Sequence, residues 1–393
     1  MVELKNIMYR KIKITMVLSM LLLSSLFIPP ILATAWWDKN WSYKIKITVD
    51  ETKVDADLTD FPVMVYLNSS RIDWSHVQDD LDDLRFLDST ETSVLKAELE
   101  KYVANDKAWI WVKIPTINNA VDTYIYMYYG NTGAVSAWDA ENVWESSAVM
   151  VQHMYDNPDT SHIVDSTSYS NDGTKKGANE PIETSSGKID SAQIIDAIDD
   201  YIKILNSASL QISGDITISF WIKANTIAGG THSIIEKAWN YEFKVMQSGT
   251  IIRWEGGLPY QVYTVVSGMT VGVWYYISIT RVVSTTTLQG YKNSIAGTPR
   301  TYTNTPGTSN QDVYIGREDG LYYPLNGYLD EIRIYNVAKS AEWIKADYNS
   351  GADTLLKYST IKSSVSSLSA GLFIGLFILF MVGVLILALV KRR

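Results

Sequence analysis

The clearest pattern in this chain is the alternation of apolar and polar residues over short stretches. Residues 43–49, 216–222 and 274–280 each place hydrophobic side chains at every second position. Successive side chains of a β-strand point to opposite faces, so this period predicts strands with one face against a core. Turn sequences such as Asn326-Gly327 separate these stretches. Many short strands without alternating helices predict an all-β fold of the sandwich type.

The strand pattern is interrupted in three places along the chain. The aromatic strand at 124–129 is followed by a glycine-containing turn and then by a stretch without alternation. Residues 340–348 have a helical pattern with Ser340 as the expected N-cap. Beyond them the chain becomes rich in serine, as is typical of a short stalk. The predicted organisation is a β-sandwich over residues 36–135, a linker over 136–146, a second sandwich over 147–349 and a stalk over 350–369.

The C-terminal end predicts a membrane anchor. Residues 370–390 carry no charge, and at about 1.5 Å per residue a helix of this length crosses a hydrocarbon core of about 30 Å. The cations of residues 391–393 favour the cytoplasmic side, which places the residues before 370 outside the cell. Gly371 and Gly375 match the small-xxx-small pattern of helices that self-associate. A flexible exit from the stalk is the alternative interpretation of these glycines.

The N-terminal end predicts export. A basic start, an apolar stretch at 14–32 and the sequence Ala33-Thr34-Ala35 indicate a signal peptide over residues 1–35. The alternative is that the segment is not cleaved and forms a second anchor. In both cases the middle of the chain lies outside a cell membrane.

Charge and cysteine content exclude several functions. Without the four cations and one acid of residues 1–35 and the three cations of 370–393, the chain has 27 Lys and Arg against 42 Asp and Glu, a formal charge of −15. This charge repels phosphate backbones, so nucleic-acid binding is a poor hypothesis. The chain has no cysteine, which excludes disulfides, thiolate zinc sites and a cysteine nucleophile. Export from a prokaryotic cell fits this composition better than an animal secretory route.

The first module has an aromatic start, three strand motifs and an aromatic end in a specific order. The motifs are Trp36-Trp37-x-x-x-Trp41-x-Tyr43, Leu58-Thr59-Asp60-Phe61-Pro62-Val63, Asp83-Leu84-Arg85-Phe86, Ala108-Trp109-Ile110-Trp111 and Met127-Tyr128-Tyr129-Gly130-Asn131. On these motifs the module resembles a prokaryotic domain of unknown function that occurs on exported proteins. This resemblance implies no mechanism.

The second module contains a series of motifs in a specific order. They are Val164-Asp165-Ser166, Asn171-Asp172-Gly173-Thr174, Asp199-Asp200-Tyr201-Ile202, Gly214-Asp215-Ile216, Gly272-Val273-Trp274 and Asn326-Gly327-Tyr328-Leu329-Asp330-Glu331. On these motifs the module resembles the laminin-G-like branch of the concanavalin A-like lectin/glucanase superfamily. The resemblance implies a jelly roll of two antiparallel sheets, and glycan binding is the most frequent function of this family. The loop between Asp165 and Asn171 lacks the glycines that the family has there.

The resemblance also implies a Ca²⁺ site. Many relatives hold the ion with an aspartate at the start of the last strand and groups near the first loop. Asp330 matches the first position, and Asp165 or Asp172 matches the second. The alternative is that Asp330 caps a turn and that Asp172 forms an Asx-turn.

Loop aromatics are the candidates for contact with sugar rings. The turn-rich segments of the second module contain several tyrosines and tryptophans, whereas Trp221 and Trp274 lie in alternating strands and are expected in a core. An all-β chain with 13 Trp and 25 Tyr also has many aromatics without such a role. The candidates are Trp239, Tyr241, Trp254, Tyr260 and Tyr322, with Tyr263 and Tyr323 beside them.

Catalysis is not expected from the sequence. Retaining glucanases need two carboxylates about 5–5.5 Å apart, and their Glu-x-Asp-x-Glu strand motif is absent from the sequence. Glu98 and Glu100 share a strand face and are interpreted as a solvent-facing pair. The four histidines form no zinc motif.

The leading hypothesis is a membrane-anchored surface protein whose lectin-like module binds a carbohydrate or a glycoprotein. The first alternative is a structural component of a cell envelope or a virion. A glycan hydrolase is the third hypothesis.

Overall fold

The computed structural model describes residues 36–225, 230–238, 240–246, 251–256, 259–304, 306–319 and 323–364. The predicted signal peptide, the predicted membrane segment 370–390 and the pair Gly371 and Gly375 lie outside these residues. Among the helices that the structure describes, none is long and apolar enough to span a bilayer.

The described residues form 25 strands, one α-helix and four short 3₁₀ helices. The α-helix, α1, spans Ala341–Gly351, and the 3₁₀ helices span Glu51–Lys53, Trp74–His76, Ala140–Asn142 and Ala208–Leu210. In chain order the strands are β1 (Tyr43–Val49), β2 (Leu58–Asn68), β3 (Arg85–Leu87), β4 (Ala97–Val103), β5 (Lys107–Ile117), β6 (Thr123–Tyr129), β7 (Ala148–Gln152), β8 (His162–Ile163), β9 (Gly173–Lys175), β10 (Ile182–Thr184), β11 (Ala192–Asp196), β12 (Ile202–Ile204), β13 (Ile216–Ala224), β14 (Thr231–Lys237), β15 (Tyr241–Met246), β16 (Ile251–Gly256), β17 (Gln261–Val266), β18 (Tyr275–Val282), β19 (Thr287–Lys292), β20 (Ile295–Ala296), β21 (Arg300–Thr301), β22 (Val313–Ile315), β23 (Asn326–Tyr335), β24 (Leu356–Tyr358) and β25 (Lys362–Ser363).

The first module is a small sandwich of two antiparallel sheets. Sheet I has the strand order β24-β1-β6-β3, and sheet II has the order β2-β5-β4. Alternate residues of each strand enter the core between the sheets, including Ile47 and Ile125 from sheet I and Val63 and Ile110 from sheet II. All four side chains are essentially inaccessible to water, so the period-two pattern of the sequence corresponds to this core.

The second module is a larger sandwich. Sheet III contains β10-β11-β23-β13-β18-β19-β20, with β7 beside β23 and β21 beside β19, and sheet IV contains β17-β16-β15-β14-β22-β12-β9-β8. Phe220 and Ile277 of sheet III and Ile235 and Ile252 of sheet IV belong to one core. The prediction of an all-β fold with tandem sandwiches is therefore confirmed.

The outer face of sheet III packs on the first module. Trp343 of α1 contacts Phe61 of β2 with ring centroids 5.4 Å apart, and it contacts Tyr335 of β23 at 5.1 Å. Trp221 is buried, as expected of a core residue, and the core that it joins is the hydrophobic cluster that this outer face shares with the first module. Sheet IV is on the far side of the second sandwich, so its outer face is the one that no module covers within the described part of the chain.

The segment predicted as a stalk differs from the expectation. Ser340 caps α1 as predicted, with its hydroxyl accepting the Trp343 N–H at 3.2 Å, but the helix continues to Gly351. Strand β24 then pairs antiparallel with β1, and Leu355 is buried. Residues 350–358 therefore complete the first module, because their few apolar side chains fill its core.

The predicted linker also takes part in packing. Residues 136–146 contain the 3₁₀ helix Ala140–Asn142, and Val143 and Trp144 are buried in the same hydrophobic cluster as the first module. The connection between the modules is thus fixed by side-chain burial.

Candidate functional site

Two of the predicted calcium ligands organise a loop. The carboxylate of Asp165 accepts the N–H groups of Val151, Thr167 and Asn171 at 2.8 to 3.0 Å and the Thr167 hydroxyl at 2.9 Å. Asp172 accepts the N–H of Asp165 at 2.8 Å. Burial raises the pKa of Asp165, and the backbone N–H groups partly offset this effect. These hydrogen bonds hold the backbone of the loop, which lacks the glycines that the family has there.

The third predicted ligand, Asp330, is fully buried on the outer face of sheet III. Its Oδ2 accepts the N–H groups of Lys188 and Ile189 at 2.8 Å, as a turn cap does. Burial, and then the charge of Glu331, raise its pKa well above the ordinary value. Within the described residues the three aspartates do not form a group of ligand atoms that lie within 4.8 Å of one another. Calcium binding by this chain stays a prediction.

The aromatic candidates divide into buried and exposed residues. Tyr241 and Trp254 lie in the core of the second module with at most 3% of their surface exposed, so a sugar ring cannot stack on them and these two predictions are wrong. Both side chains occupy strand positions that point into the sandwich. The turn-rich sequence around them concealed this direction. Tyr260 is 44% exposed. Trp239 and Tyr322 lie outside the described residues.

The outer face of sheet IV carries charged and aromatic side chains. Core residues alternate with outward residues along each strand, and the outward positions include Glu255 of β16, Glu236 of β14, Tyr314 of β22 and Lys203 of β12. Glu236 pairs directly with Tyr314, and Tyr314 pairs with Lys203. Strand pairing alone thus aligns acidic, aromatic and basic side chains across the sheet.

An ion-pair network lies at one end of this surface. The ammonium group of Lys244 is 2.8 Å from Glu255 and also contacts Glu318. The hydroxyl of Tyr260 donates to Glu255, and the Lys244 ammonium lies 5.6 Å from the ring centre of Tyr323. Lys244 and Glu255 are each only 6% exposed, whereas Tyr260 and Tyr323 are 44% and 49% exposed.

We call these five residues, Lys244, Glu255, Tyr260, Glu318 and Tyr323, the tyrosine platform. The two tyrosines present rings to solvent, and the charged groups between them are held in place by one another. Carboxylates accept hydrogen bonds and an ammonium group donates them. The platform therefore combines apolar ring faces with fixed donors and acceptors, a combination that recognises a hydroxyl-rich ligand.

A second cluster of charged residues is buried between the modules. It consists of Glu98 and Glu100 of β4, His153 after β7, and Glu331 and Arg333 of β23, and we call it the interface cluster. The interpretation of Glu98 and Glu100 as solvent-facing is wrong, since they are 6% and 3% exposed. Alternation shows correctly that they point away from the first core, but the second module covers that side.

Hydrogen bonds hold each carboxylate of the interface cluster. Glu98 accepts the indole N–H of Trp144 at 2.8 Å and the hydroxyl of Ser166 at 2.5 Å. Glu100 accepts the indole N–H of Trp111 at 2.7 Å. Glu331 accepts a guanidinium N–H of Arg333. Charge-assisted bonds of this kind are short and direct each side chain.

The histidine of the cluster lies among three carboxylates. Its Nδ1 is 2.6 Å from Glu331 and 3.5 Å from Glu100, and its Nε2 is 3.3 Å from Glu98. Burial alone lowers the pKa of His153, but the three carboxylates outweigh it and raise the pKa well above the ordinary value. Burial also raises the pKa of Glu100, and the charge of Glu331 adds to this effect.

The sequence contained partial signals for both sites. Lys244, Glu255 and Glu318 have no local motif, because strand pairing and a loop bring them together. Glu98 and Glu100 alternate with apolar residues, and Glu331 follows the family aspartate directly. Such patterns show which residues share a face of a strand, but they do not show what covers that face.

Comparison with known families agrees with the two resemblances. Residues 196–345 match the family model of the concanavalin A-like lectin/glucanases superfamily. The second module is thus similar to concanavalin A-like domains over these residues. Residues 80–171 match the model of a domain of unknown function (DUF2341), so both predicted families are confirmed in the predicted order. No curated protein matches the chain.

Solved structures that match part of the chain include two toxin binding domains and a domain of an arabinanase. The binding domain of Paraclostridial Mosquitocidal Protein 1 is 15% identical, with 52% of each chain covered and a TM-score of 0.44. The botulinum neurotoxin serotype D ligand binding domain in complex with N-acetylneuraminic acid is 14% identical, with 54% of this chain and 52% of that chain covered and a TM-score of 0.42. Domain 4 of AbnA, an arabinanase from Geobacillus stearothermophilus in complex with arabinotriose, is 22% identical, with 52% and 99% covered and a TM-score of 0.40. The chain spans about half the length of the two toxin domains. All three TM-scores are below 0.5, so the ligands bound in these structures say nothing about the ligand of this chain.

Proposed function

We propose that this protein binds carbohydrate at the cell surface and that the tyrosine platform of sheet IV holds the glycan. The observation that carries the proposal is the pair of exposed tyrosines around a buried ion-pair network. Both tyrosines reach the same charged groups, Tyr260 through Glu255 and Tyr323 through Lys244. The ligand of this proposal is an oligosaccharide, free or on a glycoprotein.

The chemistry of the platform supports a hydroxyl-rich ligand. Sugar rings have apolar faces that cover a tyrosine ring and hydroxyl groups that both donate and accept hydrogen bonds. The carboxylate of Glu255 and the ammonium of Lys244 are already ordered by their mutual contact at 2.8 Å. Ordered groups lose little conformational entropy when a ligand binds. The concanavalin A-like family, which includes lectins, is consistent with this role.

Binding without hydrolysis is part of the proposal. The two carboxylates of the platform and the neighbouring Glu236 are engaged by donors: Glu255 by Lys244 and Tyr260, Glu318 by Lys244, and Glu236 by the N–H of Asp319 at 2.7 Å. A retaining glycosidase needs one carboxylate free to attack and another able to donate a proton. We also propose, from the sequence pattern of 370–390, that the protein is tethered to the cell membrane with residues before 370 outside.

The test is a glycan array probed with the full chain in a detergent that has no sugar head group. Tyr260→Ala and Tyr323→Ala are expected to weaken binding of the best glycan by about 3- to 10-fold each, as expected for loss of an aromatic contact. Tyr169→Ala is the matched control. This tyrosine is 42% exposed, but it lies in the loop between Asp165 and Asn171, where its hydroxyl donates to the carbonyl of Ser146.

Two results would contradict the proposal. The first is an array on which the folded protein binds no glycan above background. The second is an equal loss of affinity in Tyr169→Ala and Tyr260→Ala, which would place the contact away from the platform. Release of reducing sugar from a bound glycan would instead favour a hydrolase.

One observation favours a second candidate function, a structural component of an envelope. Residues 40–362, which contain both modules, form one compact unit, so the modules are a single building block. Ordered arrays of the protein in electron tomograms of the native membrane would support this role. Isolated molecules with glycan affinity would argue against it.

A further inference from the structure

The interface cluster has the features of a metal centre. We propose that it binds a divalent transition-metal ion of the zinc type through Nδ1 of His153 and one carboxylate oxygen each from Glu100 and Glu331. The ion would connect β4 of the first module to β23 of the second. This role is separate from glycan binding, because the tyrosine platform lies on the opposite sheet of the second module.

The distances between the three donor atoms fit one ion. Nδ1 of His153 is 2.6 Å from Oε1 of Glu331 and 3.5 Å from Oε2 of Glu100, and one ligand atom from each residue lies within 4.8 Å of the others. Zinc bonds to nitrogen and oxygen are about 2.0–2.2 Å long, which separates neighbouring ligand atoms by roughly 3–3.5 Å. Nδ1 of His153 and Oε2 of Glu100 are already at this spacing, and Oε1 of Glu331 must move away from Nδ1 by about 0.4–0.9 Å to reach it.

The second nitrogen of the histidine is placed as metal-binding histidines require. Nε2 of His153 is buried and makes no hydrogen bond of good geometry, yet Oε1 of Glu98 lies 3.3 Å away. A histidine that binds a metal through one nitrogen usually donates the other N–H to a carboxylate, which fixes its tautomer and orientation. Glu98 occupies this position.

The other two ligands also have supporting partners. The indole N–H of Trp111 donates to Glu100 at 2.7 Å, and Arg333 donates to Glu331. Arg333 is held in turn by Asp347 at 2.7 Å. Partners of this kind orient metal ligands before the ion arrives.

The charge of the interface favours a cation. Five carboxylates, those of Glu98, Glu100, Asp330, Glu331 and Asp347, are at most 6% exposed, and Arg333 is the guanidinium buried among them. Uncompensated negative charge in a buried site is unfavourable. A divalent ion that takes the place of the proton on Nδ1 of His153 makes the site one charge more positive than the imidazolium does, without opening the interface.

The ligand types select the class of metal. Calcium needs six to eight oxygen ligands, and three buried side chains cannot supply them. One imidazole with two carboxylates suits zinc, and manganese or iron less strongly.

The backbone of β23 is shaped to present one of the ligands. Glu331 has a φ of 52°, in the left-handed region that side chains other than glycine seldom adopt. The pairing of β13 with β23 shifts register at this point, between Ser219 and Trp221. Such a bulge turns an extra side chain to one face. Asp330 and Glu331 therefore both point towards the first module, and Glu331 reaches His153.

The test is metal analysis of the purified full chain. The protein is incubated with ZnCl₂ and passed over a chelating resin. The metal that remains bound is then quantified by inductively coupled plasma mass spectrometry. About one zinc ion per chain is expected to remain. Glu100→Gln should lower the retained zinc at least tenfold. Asp122→Asn is the matched control and should retain zinc as the unchanged protein does, because Asp122 is exposed and belongs to a separate acidic group with Asp50 and Glu51.

Zinc-edge X-ray absorption of the unchanged protein gives a readout that does not depend on the folding of a variant. A histidine nitrogen and oxygens at about 2.0–2.2 Å are expected. A first shell without imidazole would overturn the proposal. So would a folded chain that retains neither zinc, manganese nor iron, since the cluster would then be neutralised by protons. Equal retention by Glu100→Gln and Asp122→Asn would also overturn it.

Discussion

At the scale of single residues, Asp165 of the second module has a structural role of its own. The sequence predicts it as a calcium ligand, and in the structure its two oxygens accept one hydrogen bond from Val151 of β7 and three from the first loop. A buried N–H that loses its acceptor costs about 1–3 kcal/mol. The residue is thus a structural element of the loop whether or not an ion binds nearby.

We predict that Asp165→Ala lowers the free energy of unfolding by about 3 kcal/mol, both with calcium and with excess chelator. Urea titration followed by tryptophan fluorescence measures the change. Asp172→Ala, which removes a single accepted N–H bond, is the control and should cost about 1 kcal/mol. A loss of stability by Asp165→Ala that appears only in calcium would instead support the calcium site.

The buried Lys237 should make the free energy of unfolding depend on pH. Its side chain is completely buried and donates to Asn206 at 2.7 Å and to the carbonyl of Gln311 at 2.6 Å. Burial lowers its pKa to about 8, although Asp312 opposes this effect. In the unfolded chain a lysine has a pKa of about 10.4. Between these values the unfolded state therefore binds more protons than the folded state.

The free energy of unfolding should consequently rise with pH between about 8 and 9.5 through Lys237. Lys237→Met is expected to remove this contribution, and chemical unfolding at pH 7.5, 8.5 and 9.5 measures it. The exposed Lys96 provides the control, since Lys96→Met should leave the slope unchanged. An identical slope in the unchanged protein and Lys237→Met would refute the assignment.

At the scale of strands, the alternation of the sequence determines the two cores. In β13, Ile218, Phe220 and Ile222 enter the sandwich, while Ser219 and Trp221 occupy the other face. The same period placed Glu98 and Glu100 outside the first core. What the pattern of a single strand cannot show is the neighbour on its second face, because that neighbour is distant in sequence.

The strand β19 contains a position where only glycine fits. A Cβ added to Gly290 would lie 2.2 Å from the carbonyl oxygen of Val265 in β17, at a point where sheets III and IV approach each other. We predict that Gly290→Ala lowers the free energy of unfolding by about 1–3 kcal/mol, as overpacking does. Thermal unfolding followed by circular dichroism measures this change.

Gly214→Ala is the matched control for that experiment. No heavy atom lies within 4 Å of a Cβ at this position, so the change should stay within about 0.5 kcal/mol. A neutral Gly290→Ala would show that the two sheets separate easily at this edge.

At the scale of the whole molecule, the helix α1 joins the two sandwiches. Trp343 contacts Phe61 of the first module and Tyr335 of the second. Truncation of a buried tryptophan to alanine costs about 3–5 kcal/mol. Since this side chain contributes to both modules, its loss should also weaken their coupling.

We predict that Trp343→Ala separates thermal unfolding into two calorimetric transitions where the unchanged protein shows one. Ile279→Ala serves as the control, because Ile279 belongs to the core of the second module alone. The control should lower the melting temperature and keep a single transition. A single transition in Trp343→Ala would indicate that the remaining interface is sufficient to couple the modules.

Much of the architecture was predictable from the sequence. The all-β class, the cap at Ser340 and the two family resemblances follow from local patterns and motifs. The end of the first module did not follow, because β24 pairs with β1 across about 300 residues of sequence. The exposed Tyr260 was found as a candidate, whereas Tyr241 and Trp254 of the same region are in the core.

The sequence by itself determined that this chain is an acidic, cysteine-free, all-β protein with apolar ends, since composition and alternation depend only on local order. Tertiary structure decided which faces are open and which are covered. It buried Glu98, Glu100 and Glu331 around His153 and left sheet IV exposed with its tyrosine platform. The physical reason is that burial of a strand's second face is a property of the partner that packs on it, and that partner is brought there by the fold.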